Sequence, residues 1–176
     1  DEQQAWSYQD LQQRVAAAAA LIRQTAAPGE RALLVYPPGL EFVAAFLGCL
    51  RAGVLPVPAT YPKPRRPLPR LDAIAEDCQP TVGLSTEATL GTMQLSGQSP
   101  LVRDLPWRAT DGLTATDSAP LDRPAPESTA FLQYTSGSTS QPRGVVVTHA
   151  NLMHNLELIR QGFEIDVALG GSVTVQ

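Results

Sequence analysis

The sequence predicts an α/β fold with a mostly parallel sheet flanked by helices. Segments whose apolar residues recur at helical spacing alternate with short, continuously apolar segments of strand length. Continuously apolar strands are typical of sheets that are covered on both faces, and such sheets are usually parallel. The regular alternation of the two kinds of segment therefore favours strands layered between helices.

Local signals place the elements in the first half of the chain. Ser7 followed by Asp10 resembles a capping box, and the alanine-rich run behind it favours a helix. Pro28-Gly29 ends that helix, and Gly53 suits the left-handed residue that ends a second helix. In chain order we expect a helix over residues 8–24, a strand over 32–36, a helix with its apolar face over 42–50 that ends at Gly53, a strand over 54–57, a helix over 70–78 and a strand over 81–85.

Two segments have the composition of loops. Residues 58–69 contain five prolines and the basic residues Lys63, Arg65 and Arg66, which excludes a regular helix or a central strand. We interpret this basic cluster as a solvated surface loop, with contact to phosphates or to an acidic partner as the alternative. Residues 96–128 are rich in Ser, Thr, Asp, Pro and Gly, and we expect a meandering connection there with Trp107 as its apolar anchor.

The composition excludes several classes of function. The net charge of the 176 residues is −4, which gives no overall attraction to nucleic acid. Uninterrupted apolar runs stay well below the roughly 20 residues that span a bilayer. Cys49 and Cys78 lack the spacing of a zinc site, and because Cys49 lies in an apolar helical pattern we expect a buried, reduced thiol there and a cytoplasmic location. Because Asp1 stands where an initiator Met would and residues 172–176 alternate like a strand, we expect a domain incomplete at both ends.

Residues 135–144 carry the most informative motif. A predicted strand over residues 130–134 runs directly into the sequence TSGSTSQPRG, which combines hydroxyl side chains, two glycines and one arginine. Glycine lets backbone N–H groups approach a phosphate closely, hydroxyls donate hydrogen bonds, and a guanidinium offers a planar pair of donors. We call residues 135–144 the hydroxyl-rich segment and expect it to bind a polyphosphate.

The hydroxyl-rich segment differs from two common alternatives. It lacks the Gly-Lys-Ser/Thr triplet of a P-loop, which argues against a P-loop nucleotide hydrolase. A flexible Ser/Gly linker is the other alternative. However, the segment ends in Pro-Arg-Gly and is followed at once by an apolar strand over residues 145–147, with Thr148 or Asn151 capping a further helix. Such tight flanks favour a binding loop.

The sequence YTSGSTSQPRG at residues 134–144 resembles the phosphate-loop signature of the adenylate-forming superfamily, which includes acyl-CoA synthetases, peptide-synthetase adenylation domains and luciferases. It departs from the usual pattern at Ser140, where glycine is usual, and at Arg143, where lysine is usual. Residues 33–64, LLVYPPGLEFVAAFLGCLRAGVLPVPATYPKP, and Leu132-Gln133 resemble the fatty acyl-AMP ligase branch. The resemblance runs from Tyr8 to at least Phe163.

The resemblance implies a fold, a reaction and a set of binding residues. The 176 residues would be the N-terminal portion of an AMP-binding (adenylation) domain, which with Mg²⁺ and ATP converts a fatty acid to an acyl-adenylate and passes the acyl group to an acyl carrier protein. The Mg²⁺ ligands and the catalytic lysine would lie outside these residues, so the chain alone would be inactive, with no catalytic residue and no metal ligand. ATP phosphates would be held by Thr135, Ser136, Gly137, Ser138, Thr139, Arg143 and Gly144.

Other interpretations stay open at this point. An acyl-CoA synthetase or an amino-acid adenylation domain would share the first half of the reaction. A non-catalytic module that docks a carrier protein through the basic loop at residues 63–70 is an alternative of another class. We interpret His149 and His154 as structural, with His149 the better placed to line the site.

Overall fold

The computed structural model describes residues 5–59, 61, 69–93, 98–113, 123–135 and 142–163. Helices and strands alternate through the first part of the chain, as the sequence predicts. In chain order the elements are α1 (Tyr8–Arg23), β1 (Arg31–Leu34), α2 (Leu40–Ala52), β2 (Leu55–Pro58), α3 (Pro69–Cys78), β3 (Val82–Ser85), α4 (Glu87–Thr92), α5 (Pro100–Arg103), β4 (Trp107–Ala109), β5 (Thr129–Thr135), β6 (Arg143–Thr148) and α6 (His149–Gly162).

The first four strands form a parallel sheet in the order β2-β1-β3-β4. β1 lies between two neighbours, with Leu33 opposite Val57 of β2 and opposite Gly83 of β3. The helices that follow each strand carry the chain back to the starting edge, as parallel pairing requires. The predicted α/β fold with a mostly parallel sheet is confirmed.

β1 divides the core into two halves. Ala32 and Leu34 face a cluster built by α1 and α2, whereas Leu33 and Val35 face a second cluster built around α3. These four side chains are fully buried, because successive residues of a strand point to opposite faces and both faces are covered by helices. The sheet is therefore the middle layer of three.

Close contact between α1 and α2 depends on small residues. A Cβ added to Gly48 of α2 would come within 2.8 Å of the Ala18 Cβ of α1, so glycine and alanine let the two helices touch. The predicted capping box is present, since Ser7 and Asp10 each accept a hydrogen bond from the other's backbone N–H. Gly53 ends α2 in the left-handed region with φ 74°, also as predicted.

The prediction of a meandering connection over residues 96–128 is partly wrong. This stretch contains the short helix α5 and the edge strand β4, which pairs in parallel with β3. The Trp107 indole lies over Gly83 of β3, and its N–H donates to the Val102 carbonyl oxygen at 3.0 Å. Trp107 is thus a strand residue that closes the sheet edge, while residues 114–122 lie outside the described part of the chain.

β5 and β6 form an antiparallel hairpin beside the edge strand β2. The N–H groups of Leu55 and Ala59 bond carbonyl oxygens on the β1 side of β2. Pro56 and Pro58 alternate with them, so their nitrogens face away from β1 and carry no hydrogen to donate. β5 therefore packs against the sheet through side chains, with Phe131 against Phe46 of α2 at a ring-centroid distance of 5.3 Å.

The predicted cap of α6 is confirmed, because Thr148 and Asn151 form a capping box.

The hairpin and α6 present an apolar surface. Exposed apolar side chains include Val145, Val146, Met153 and Phe163. In the part of the chain that the structure describes, the helices lack the length and apolar character needed to cross a bilayer.

Both cysteines are free and buried. Burial raises the pKa of the Cys49 thiol strongly, and it raises the pKa of the Cys78 thiol to about 12. The sequence-based expectation of a buried thiol at Cys49 is confirmed, and Cys78 is buried as well. Neither sulfur is a candidate nucleophile at neutral pH, since the reactive species is the thiolate.

Gly83→Ala should destabilise the protein, because the new methyl group would come within 2.4 Å of the Trp107 indole. Overpacking of this kind costs about 1–3 kcal/mol in the free energy of unfolding. Gly91→Ala is the matched control, since nothing lies within 4 Å of its added Cβ in α4. Urea unfolding followed by circular dichroism should show a lower midpoint for Gly83→Ala alone. Equal midpoints would mean that the indole moves aside freely.

Candidate functional site: the open end of the β5–β6 hairpin

β5 runs in the same direction as β2. Thr129 and Ala130 at the start of β5 line a common cavity with Val54 and Leu55 at the start of β2. The far end of β5 meets the far end of β2, where Tyr134 and Val57 join the same apolar cluster. The hydroxyl-rich segment thus leaves β5 at the carboxyl edge of the parallel sheet. In open α/β sheets this edge is where ligands bind.

Three of the predicted binding residues form the two ends of the hydroxyl-rich segment, at the end of the hairpin. Thr135 pairs with Arg143, and Tyr134 pairs with Gly144, so the two ends of the segment are brought side by side. Thr135, Arg143 and Gly144 are all exposed. Among the described residues the Arg143 guanidinium forms no ion pair. Ser136, Gly137, Ser138 and Thr139 lie outside the described residues, and their predicted role stays a prediction.

Gly144 lies directly beneath the ring of Tyr134. A Cβ at position 144 would come within 2.9 Å of both Cζ and the hydroxyl oxygen of Tyr134. A side chain there would displace the ring or separate the strands. Gly144 is therefore required by the close approach of an aromatic ring rather than by an unusual backbone conformation.

α3 holds Tyr134 at two points. The Tyr134 hydroxyl donates a hydrogen bond to Oδ2 of Asp77, and the Arg70 guanidinium donates to the Tyr134 carbonyl oxygen at 3.4 Å. Burial, together with the hydrogen bond to Asp77, raises the pKa of the Tyr134 hydroxyl above its usual value, so it stays protonated and acts as a donor. The carboxyl end of α3 is fixed in turn by Arg31, which donates to the carbonyl oxygens of Cys78 and Gln79.

Sequence reasoning did not identify Asp77, and it placed Arg70 with the basic loop. Asp77 belongs to no recognisable motif, and Tyr134 lies 57 positions further along the chain. The structure describes Arg70 but not Lys63, Arg65 and Arg66. Because the Arg70 guanidinium is directed at the hairpin, Arg70 belongs to the base of the candidate site.

A cavity of about 620 Å³ lies at the other end of the hairpin. Arg23, Arg51 and His149 line it, together with the starts of β2 and β5. His149 directly follows the six residues of β6, which places it about 20 Å from Arg143 at the rise of a strand. The interpretation of His149 and His154 as structural stays a prediction, and β6 carries His149, the better placed of the two by sequence, to the opposite edge from the hydroxyl-rich segment. His154 is exposed on α6.

Metal ligands are not grouped in the described part of the chain. No set of three or more His, Cys, Asp or Glu side chains there is arranged to hold an ion. The groups that the hairpin end does offer are hydroxyl, guanidinium and backbone N–H donors, all of which suit an anion.

Comparisons with known proteins show the family of this chain. The family model of AMP-binding enzymes matches residues 1–172. The medium-chain fatty acid–acyl-carrier-protein ligase JamA of Moorena producens is 39% identical over 167 residues, which cover 89% of this chain and 28% of JamA. The long-chain fatty acid–AMP ligase FadD23 of Mycobacterium tuberculosis is 36% identical over 169 residues, covering 92% of this chain and 28% of FadD23.

A solved structure gives the same result. The crystal structure of the fatty acyl-adenylate ligase from L. pneumophila, in complex with acyl adenylate and pyrophosphate, superposes with a TM-score of 0.80 at 32% identity. The match covers 93% of this chain and 28% of that protein, so the chain spans somewhat over a quarter of the length of these relatives. The chain belongs to the family of AMP-binding, adenylate-forming enzymes, and the relatives that it resembles include fatty acyl-AMP ligases.

Proposed function

We propose that this chain is the N-terminal portion of the adenylation domain of a fatty acyl-AMP ligase. The intact enzyme would convert a fatty acid and ATP to an acyl-adenylate and pyrophosphate, and would then transfer the acyl group to an acyl carrier protein. The observation that carries the proposal is the position of the hydroxyl-rich segment. Its two ends, Thr135 and Arg143, lie side by side at the carboxyl edge of a parallel sheet, and both carry exposed hydrogen-bond donors.

The hydroxyl-rich segment would hold the β- and γ-phosphates of ATP. Thr135 and Arg143 stand at its two ends, and Gly144 keeps the strands in register under the Tyr134 ring. The residues between them, Ser136, Gly137, Ser138 and Thr139, would supply further hydroxyl and backbone N–H donors. With the phosphates fixed, the fatty acid carboxylate attacks the α-phosphorus, and the bond from the α-phosphorus to the bridging oxygen of pyrophosphate breaks.

The role of the chain in this step is positioning and charge neutralisation. A carboxylate is already ionised at neutral pH and needs no general base to become a nucleophile. This agrees with the distance of His149 from the hydroxyl-rich segment. Mg²⁺ would accompany ATP and neutralise part of its charge, and we expect its ligands outside these 176 residues.

The comparisons support a fatty acid as the substrate and a carrier protein as the acceptor. JamA and FadD23 are both described as ligases of fatty acids, and JamA is described as acting on the acyl carrier protein. The L. pneumophila structure contains acyl adenylate and pyrophosphate, the two products of the first step. All branches of the family share that step, so the acceptor is the feature that distinguishes them.

Arg143→Ala should lower the rate of acyl-adenylate formation by roughly 10- to 100-fold, since hydrogen bonds to charged groups are worth about 1.5–3 kcal/mol. Fatty acid binding should not change. Pyrophosphate release by the intact protein is the measurement, and Arg123→Ala is the control, because Arg123 is also exposed but adjoins Pro124 at the opposite cavity. Unchanged pyrophosphate release in Arg143→Ala would remove Arg143 from the phosphate site.

Residues 1–176 alone should form no acyl-adenylate, because they contain only part of the groups that stabilise the transition state. Purified chain and intact protein are compared at equal concentration with ATP, Mg²⁺ and a fatty acid, and acyl-adenylate is quantified by mass spectrometry. A rate near that of the intact protein would show that the 176 residues hold the complete catalytic machinery.

The intact protein should load a holo acyl carrier protein and make little acyl-CoA. Both acceptors present the same phosphopantetheine thiol, so discrimination must arise from the nucleotide end of CoA or from the surface of the carrier protein. The measurement is a competition assay with both acceptors at equal concentration, read by mass spectrometry. Acyl-CoA as the main product would place the protein among the CoA ligases. One relative, fadD21 of M. tuberculosis, is described as a putative fatty acid–CoA ligase.

A further inference from the structure

Tyr134 connects three elements at the base of the hydroxyl-rich segment. Its backbone lies opposite Gly144, in the second-last residue pair of the hairpin. Its ring packs into the apolar cluster around α3 and is only 6% exposed. Its hydroxyl emerges from that cluster at Asp77, near the carboxyl end of α3. The position of this ring therefore links α3 to the open end of the hairpin.

Asp77 is held on a rigid support. Leu71, Ile74 and Ala75 of α3 are buried against the sheet. Arg31 at the start of β1 donates hydrogen bonds of 2.6 and 2.7 Å to the last carbonyl oxygens beyond Asp77. The Asp77 side chain itself is exposed, so its packing contributes little to the stability of α3. What it does contact is the Tyr134 hydroxyl.

This support replaces hydrogen bonds that the sheet cannot supply. Pro56 and Pro58 have no N–H to offer the neighbouring β5, and β2 and β5 belong to separate sheets, so side-chain contacts rather than a backbone ladder place the hairpin. At the open end of the hairpin, those side-chain contacts are the Tyr134 ring with its hydrogen bond to Asp77, and the bond from Arg70 to the Tyr134 carbonyl oxygen. A shift of the ring would displace Gly144, which lies in contact with it, and with Gly144 the strand that begins at Arg143.

We propose that Asp77 is a positioning residue for Thr135 and Arg143, the two ends of the hydroxyl-rich segment, and that it acts through Tyr134. The carboxylate accepts the tyrosine hydrogen bond, the ring fixes Gly144 beneath it, and the two ends of the segment are held at the separation that the ATP phosphates require. This role rests on the proposed function of the segment. It depends on a hydrogen-bond acceptor at position 77 and not on negative charge, which next to bound phosphates is unfavourable.

The kinetic test compares variants of the intact enzyme in ATP-dependent pyrophosphate release at saturating fatty acid. Asp77→Ala and Tyr134→Phe should each lower kcat/KM for ATP by roughly fivefold or more, in the range expected for a lost hydrogen bond to a charged group. The KM for fatty acid should not change. Asp77→Asn keeps an acceptor and should retain activity near that of the unmodified enzyme.

Glu76→Ala is the matched control, because Glu76 is the neighbouring exposed carboxylate on α3 and its loss changes the net charge equally. It should leave kcat/KM for ATP unchanged. The double variant Asp77→Ala/Tyr134→Phe should be no worse than either single variant, since the two residues act as one unit. Additive losses, or equal effects of Asp77→Ala and Glu76→Ala, would overturn the proposal.

Hydrogen exchange supplies a readout that is independent of activity. In Asp77→Ala, backbone amides of Tyr134, Thr135 and Gly144 should exchange faster than in Glu76→Ala, while amides of β1 should not change. If the unmodified enzyme forms no acyl-adenylate, the proposed function is wrong, and the exchange comparison alone decides the positioning role. Unchanged exchange at the hairpin end in Asp77→Ala would reject it.

Discussion

Burial of β1 on both faces is the constraint on which the rest of this structure depends. Four consecutive residues, Ala32 to Val35, point alternately into two separate clusters, and each is almost fully removed from water. Neither helical layer can shift along the sheet without exposing one of these side chains. The same strand begins with Arg31, whose guanidinium fixes the end of α3. The position of α3, and through it the position of Tyr134, is thus set from the centre of the sheet.

The candidate site combines a rigid support with exposed binding groups. Support comes from buried contacts of Tyr134 and Phe131, which attach the hairpin to α3 on one face and to α2 on the other. Thr135 and Arg143, the proposed phosphate contacts, form the last residue pair of the hairpin and are exposed to solvent. This separation lets the exposed residues of the candidate site change while the scaffold keeps its geometry.

Local signals in the sequence predicted most of the fold. The capping boxes at Ser7 and Thr148 and the left-handed Gly53 depend on neighbours within a few residues, so the sequence alone was sufficient. β4 was missed because the strand is short and depends on contact between Trp107 and Gly83, which lie far apart in the chain. The position of His149 was not predictable for a different reason. Closeness in sequence to the hydroxyl-rich segment suggested closeness in space, but the antiparallel return of β6 takes it to the far edge.

The alternating prolines of β2 have a consequence for how the protein opens. Strands joined by a ladder of backbone hydrogen bonds unfold together, whereas elements joined only by side chains can separate at a lower cost. Pro56 and Pro58 cannot donate the hydrogen bonds of a backbone ladder to β5, and the two strands belong to separate sheets. We therefore expect a boundary between two cooperative units at this contact. The four-stranded sheet lies on one side of it and the hairpin with α6 on the other. Local fluctuations or sequence changes in the hairpin need not spread into the sheet, so the hairpin that carries the candidate site can change while the core around β1 keeps its fold.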